Sequence, residues 1–446
     1  MFPWPVQKYL DDRAMNCVES TRKDSDFGAM RLCVLYLEDS LGPLQYVLPE
    51  THMLRLNTMS EVLGRNFTVM AQGTRTELFK KHDLDEPTGL LPLTQMHTLI
   101  DKSILGHSHY LLPSGRKDAL MVMTADQLNQ LVEESQSEKV GFSSDSRRPW
   151  PPEHDDESMI LASVQSLTSL RIRQRLIETL EIPPLPDSAR RILRLRLDPD
   201  ARVEELASIV EMDPSLNAQL ICWASSPYYG ARVQVSTAYD AISRVLGFDM
   251  VLNMTLGLSL GKTLSLPKDG PTGLKPYWEQ AAMTALAMQR LIQKMPKNYH
   301  KQAATAYLCG LLHNFGFIVL GHLFPMHFSL ICRHIEANPH IPVANIEHLL
   351  LGVNRNQLAA WLLQTWGMPE EVVIAIRFQD MPSVSPEPDL FTRTLHLCSQ
   401  LLSGAEADEF ITMKLPLSYD EAQNVVESLM IEQGEQIRML ANQMVS

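Results

Sequence analysis

The chain has 446 residues, of which 45% are hydrophobic and 20% charged, with a formal net charge of -13. That length exceeds one compact core and predicts two or three domains of an ordinary globular protein. The acidic balance excludes a general binder of nucleic-acid backbones, which needs a basic excess, so no DNA partner is expected.

The start of the chain, Met1-Phe2-Pro3-Trp4-Pro5, lacks a basic leader followed by an apolar run, and the longest apolar stretch, around Phe315 to Leu320, is too short to span a bilayer. The six cysteines, Cys17, Cys33, Cys222, Cys309, Cys332 and Cys398, show no Cys-x-x-Cys pair, which points to a reducing compartment. A cytoplasmic protein without a membrane span is the expectation.

From Tyr9 to Val132 short strands alternate with helices. Leu32 to Leu37 and Leu44 to Leu48 read as paired strands about the turn Ser40-Leu41-Gly42-Pro43. His109 to Leu112 and Ala119 to Met123 read as a second hairpin about Pro113-Ser114-Gly115. Thr124 with Gln127 three residues on has the spacing of a helix capping box. An α+β domain with a mixed sheet is expected over about residues 5–135.

Between Glu134 and Glu157 the apolar periodicity stops, and Ser, Pro, Asp, Glu and Arg dominate. Such a stretch buries too little apolar surface to offset the entropy of ordering it, so residues 136–158 read as a disordered linker.

From Met159 onward the pattern is helical and all-α, with no fixed repeat. Val203, Leu206, Ile209 and Val210 share one helix face, and Glu204 and Glu205 occupy its first turn, where the helix dipole favours anions. Asp213-Pro214 marks the next helix start, a carboxylate cap followed by a proline. Ser236 opens a further helix with Ala238, Ala241, Ile242 and Val245 on one side and Gly247 as its stop.

Ordered motifs run through this region: Ile182-Pro183-Pro184-Leu185-Pro186, Asp213-Pro214-Ser215-Leu216, Ala224-Ser225-Ser226-Pro227-Tyr228-Tyr229-Gly230, Gly310-Leu311-Leu312-His313-Asn314-Phe315-Gly316 and Trp366-Gly367-Met368-Pro369. They strongly resemble the HDOD family over about residues 175–380, with the remaining carboxy-terminal residues as a helical extension. The resemblance implies an HD-superfamily helical domain related to metal phosphohydrolases but without catalysis, serving in bacterial signalling. In an HD hydrolase the His-Asp pair gives an imidazole and a carboxylate to metal ions that activate water. Here the pair is His313 and Asn314, an amide in place of the carboxylate. Where relatives often carry further histidines, this chain has Arg355, and Phe378 with Gln379. The resemblance therefore implies a degenerate site with no metal and no cofactor.

The amino-terminal segment resembles YbaK-like aminoacyl-tRNA deacylases in its strand pair at Leu32 to Leu48, in Leu56 to Arg65, and in Gly89-Leu90-Leu91-Pro92-Leu93. The lysine usual in that family corresponds to Arg31, and the Gly-x-x-Pro-Pro turn keeps Gly89 and Pro92 but lacks its second proline, which marks these as vestigial positions. The domain order resembles a pseudomonad class of surface-attachment regulators. By that association the protein is a non-catalytic regulator with a protein partner, acting on surface attachment, motility or cyclic di-GMP signalling. The rival readings are a residual deacylase or phosphohydrolase, and a cyclic-dinucleotide receptor.

Other constellations are weaker. His313 in an apolar helical run is more often a bonded core residue than a ligand. His107 and His109 have no neighbouring carboxylate or cysteine and read as exposed, and His322, His327 and His334 lack helical spacing. Seven arginines from Arg171 to Arg196 make a locally basic stretch. Within it Arg171 and Arg175, four apart, have the spacing to grip the phosphates of cyclic di-GMP; the bland reading is a solvated face paired with Asp155, Asp156 and Glu157. Trp223, Tyr228, Tyr229, Trp278, Trp361 and Trp366 are candidates for a ligand groove, although aromatics at helical spacing are usually core.

Overall fold

A computed structural model describes residues 2–21, 28–117, 119–147, 156–167, 184–229, 234–261, 264, 274–404 and 414–444. It divides into two compact units, one of Met1–Trp150 with Leu330–Leu350, the other of Pro151–Ser329 with Leu351–Ser446.

The first unit is built on the expected mixed sheet. Its strands are β1 (Val18–Thr21), β2 (Met30–Asp39), β3 (Gly42–Pro49), β4 (His52–Leu54), β5 (Thr68–Val69), β6 (His97–Asp101), β7 (His109–Pro113), β8 (Ala119–Thr124), β9 (Ser137–Val140) and β10 (Ser143–Asp145). The main sheet runs β1-β8-β7-β2-β3-β6-β9, with β5 beside β2 and with β10 pairing β4 separately. Both hairpins form, in the registers Tyr36↔Gln45 and Leu111↔Val122. The β2-β7, β3-β6 and β6-β9 contacts are parallel. Successive residues of β2 point to opposite faces, and both faces are covered. Leu32, Val34 and Tyr36 pack with Val6, Leu10 and Leu128 in one core, whereas Leu35 and Leu37 pack with Met59, Phe67 and Phe142 in another. The Thr124 and Gln127 capping box is present at the helix Ala125–Glu134.

The linker expected over 136–158 is in large part structure. Ser137 to Val140 forms β9, paired parallel to β6, and Ser143 to Asp145 forms β10, paired to β4. These strands are polar because they lie at sheet edges with half-buried or exposed side chains, so backbone pairing holds them where an apolar pattern is missing. Between them Phe142 is buried, its N–H donating to Tyr46 Oη at 3.2 Å. The buried Asp101 carboxylate accepts from Ser143 N–H at 3.1 Å and from the Tyr46 hydroxyl at 2.5 Å. At the far end of the expected linker, Asp156 already belongs to the helix Asp156–Leu167.

The expected helical domain of 159–446 also gives up a piece to the first unit. Asn338 accepts from Leu54 N–H at 2.6 Å and donates to Leu54 C=O at 3.1 Å, which satisfies both backbone groups of a β4 residue. Ile341 and Ile346 pack on Met53, and Ala337 joins the second core. A helical period predicts the helices here but not the surface against which they bury.

The second unit is all-α. The helix Val203–Glu211 carries Glu204 and Glu205 in its first turn, and Asp213 caps Pro214–Ser225 by accepting from Ser215 and Leu216 N–H. The cap expected at Ser236 is Thr237, and its helix continues as a π-helical turn, Ala241–Leu246, ended by Gly247 at φ 85°. Gly310 allows the helix Ala303–Leu312 to reach the Ala285 backbone on Leu274–Lys294; a Cβ at Gly310 would lie 2.6 Å from the Ala285 Cα. The helical stretch Lys297–Leu323 is long and apolar enough to cross a membrane by length and composition, yet 78% of its most apolar 18-residue window is buried inside the protein.

Candidate functional site

His313 and Asn314 form the break between two apolar helices, Ala303–Leu312 and Phe315–Leu323. The His313 ring turns back on its own helix, with Nδ1 2.7 Å from the Gly310 carbonyl. That contact assigns the Nδ1–H tautomer and leaves Nε2 as an acceptor. Burial, the largest influence, lowers the imidazole pKa to about 4, with the Arg355 guanidinium acting in the same direction and the Gly310 contact opposing. His313 is therefore neutral at pH 7.

Asn314 faces two side chains. Its Nδ2 donates to Gln280 Oε1 at 3.3 Å, and its Oδ1 lies 3.4 Å from Arg355 Nη1, a weak contact with a cation. Arg355 begins the helix Arg355–Thr365, which the buried Asn354 caps in a box with Gln357. Two features fix the arginine. Its carbonyl presses on Gly316, where a Cβ would stand 2.1 Å from the oxygen, and its guanidinium lies 5.0 Å from the centroid of Phe317. The glycine at 316 is thus required by a backbone approach and not by an unusual φ.

Gln379 closes the cluster. Its buried amide donates to the His313 carbonyl at 2.9 Å and to Asn356 Oδ1 at 3.0 Å, while Asn356 Nδ2 donates to Asp380 at 2.7 Å. His396 Nδ1 is 2.5 Å from the Gln379 carbonyl. His313 also lines a cavity of about 340 Å³ with Gln280, Thr284, Leu402 and Met430.

This donor set does not fit a divalent metal. Such an ion needs anionic oxygens or several imidazoles, and the pair at 313 and 314 offers one neutral imidazole and one amide beside a fixed cation. Among the described residues no three His, Cys, Asp or Glu side chains gather in a metal-sized group.

Sequence reasoning brought His313, Asn314, Arg355 and Gln379 to one place but missed Asn356, Asp380, Gln280 and His396. The Asn356-Gln379 pairing had no signal in spacing, because it joins a residue of the helix Arg355–Thr365 to the C-cap of the helix Glu370–Phe378, 23 positions on. Arg171 and Arg175 lie outside the described residues. Of the acidic trio proposed to pair with them, Asp156 takes a two-point ion pair from Arg377, with Nη2 at 2.8 Å, and a bond from Gln357 at 2.7 Å. His107 and His109 are exposed, whereas His334 is buried.

In the first unit Arg31 sits on β2 in register with Leu111 of β7, its guanidinium 4.0 Å from Glu50. Gly89 packs on the neighbouring Leu112, where a Cβ would be 2.4 Å from the leucine Cβ, and its N–H donates to the Pro113 carbonyl at 2.6 Å. β7 thus adjoins both Arg31 and Gly89. Pro92 is in the first turn of the 3-10 segment Leu91–Thr94, where its missing N–H costs nothing.

Residues 182–382 match the HDOD domain family. A solved structure of a candidate signal transduction protein from Marinobacter aquaeolei VT8 is 36% identical, with a TM-score of 0.88 over 100% of both chains. Residues 182–382 of the chain are an HDOD domain. An HDOD domain protein from Geobacter sulfurreducens, at 19% identity and a TM-score of 0.51 over 65% of this chain and 99% of the other, shares the fold of the HDOD part. A curated relative, an uncharacterised protein of Treponema pallidum (strain Nichols), is 28% identical over 209 residues, 46% of this chain. That match spans 39% of the relative's own length.

Proposed function

We propose that the protein is a non-catalytic regulator of bacterial signalling inside the cell, in which the HDOD module engages a protein partner and the amino-terminal unit senses or docks a second component. The observation that carries this reading is the Arg355 guanidinium beside Asn314, a positive charge where a hydrolase would gather anionic ligands. The Marinobacter relative named for signal transduction supports the signalling half, and six free cysteines support an intracellular site of action. Control of surface attachment, motility or a cyclic di-GMP pathway is the output we propose from the domain order.

The test is the metal content and phosphodiesterase activity of the full chain after growth with added iron and manganese. Metal well below one equivalent with no hydrolysis is expected; near-stoichiometric metal with hydrolysis abolished by His313→Ala would overturn the reading. A second reading, residual aminoacyl-tRNA deacylation by the first unit, draws on Arg31 and Gly89 both adjoining β7. Discharge of mischarged tRNA that is lost in Arg31→Ala would establish it.

A further inference from the structure

Away from the HD remnant, the helical unit carries an open cavity of about 840 Å³, in the size range of small-molecule sites. Tyr228 and Tyr229 form one wall and the π-helical turn at Val245 and Leu246 another, and π turns recur at functional sites. It lies one end-to-end step along Leu274–Lys294 from the His313 cavity: Thr284 borders that one and Arg290 this one.

The polar groups converge on an anion. Arg290 is half-buried, with its guanidinium 5.1 Å from the Tyr228 centroid, Nε 3.1 Å from the Tyr228 hydroxyl and Nη2 2.8 Å from Gln433 Oε1. These partners are neutral, so the cation is oriented without being neutralised. Lys294, one turn further on, adds a second positive charge to the lining. The one acidic residue of the lining, Glu421, is committed to its own helix start, accepting from Ser418 N–H at 3.1 Å and Oγ at 2.7 Å. The lining is thus locally positive in a chain of net charge -13.

Side-chain amides give the cavity a polar wall. Gln289, Gln293 and Asn424 each bring a donor and an acceptor to it, and Gln289 Nε2 lies 3.5 Å from Met250 Sδ. We propose that this cavity binds a nucleoside monophosphate, with Arg290 and Lys294 on the phosphate and the glutamine and asparagine amides on the ring edge.

The experiment is calorimetric titration of the full chain with AMP, GMP, CMP and UMP, beside the matching nucleosides and orthophosphate. Saturable binding tighter than about 1 mM by at least one nucleotide is expected, weakened about tenfold or more in both Arg290→Gln and Lys294→Gln and weaker still for its nucleoside. Lys294 is exposed and its charge acts on Glu421 at the cavity wall, so its variant keeps the test decisive if Arg290→Gln fails to fold. Absence of saturable binding by all four nucleotides, binding unchanged in Lys294→Gln, or orthophosphate binding as tightly as the nucleotide would each overturn the assignment.

Discussion

Arg355 Nη1 stands 3.4 Å from Asn314 Oδ1, with the rest of the arginine locked by Gly316 and Phe317. Restoring the missing carboxylate by Asn314→Asp would therefore set it against the Arg355 guanidinium before it gave a metal a ligand. Elemental analysis of Asn314→Asp grown with iron and manganese should show metal well below one equivalent, and its melting temperature should equal or exceed that of the parent. One bound equivalent would mean that the arginine moves aside.

Gly316 carries the backbone side of that arrangement. Gly316→Ala puts a methyl within 2.1 Å of the Arg355 carbonyl oxygen, a backbone atom with no rotamer to escape into. A loss of roughly 1–3 kcal/mol in denaturant unfolding is expected. Gly352→Ala is a poor control because its φ is 80°; Gly73→Ala, on an open helix surface with nothing within 4 Å, is the better one and should be near neutral or stabilising.

The His313 imidazole titrates near 4 when folded and near 6.5 when unfolded. The unfolded chain therefore takes up the proton first, and stability falls as pH drops from about 6.5 towards 4, then levels below it. The full shift amounts to on the order of 2 kcal/mol once the partial exposure of the ring to its cavity is allowed for. His334 and His340 are also lowered by burial and titrate in the same sense. The contribution of His313 is thus the difference between parent and His313→Gln unfolding curves at pH 7 and pH 4.5; the parent should lose more stability than the variant.

Asp156 answers Arg377, a nearly buried guanidinium, with both carboxylate oxygens. Asp156→Ala leaves that cation without its two-point partner, and roughly 3 kcal/mol of stability should be lost. Asp145→Ala, whose partner Arg147 is well exposed, should cost under about 1 kcal/mol. Equal losses in the two variants would show that Asp156 is no more than a surface charge.

Asn338→Ala tests the piece that the first unit takes from the distal sequence. Both Leu54 backbone groups lose their partner inside a buried setting, at a cost of roughly 2–4 kcal/mol. Amide exchange at Leu54 and its β4 neighbours should accelerate while exchange in the helix Ala303–Leu312 stays unchanged.

What the sequence determined by itself was local and periodic. Apolar runs about a turn placed β2 and β3 and their hairpin, Asp213-Pro214 and Thr124 with Gln127 placed helix starts, and the ordered HDOD motifs marked His313 and Asn314. Each of these signals is carried by residues within a few positions of one another. The tertiary structure alone decided what neighbours them across the chain. It seats Arg355 against Asn314, 41 residues away, pairs Asp156 with Arg377, and makes a polar stretch at 137–145 into strands because edges are held by backbone bonds that leave no apolar trace. It also splits the aromatics: Trp223 is core, whereas Tyr228 and Tyr229 line a cavity. Side-chain type and spacing were alike for both fates, and only the packing of Leu274–Lys294 and Tyr419–Met444 around them distinguishes one from the other.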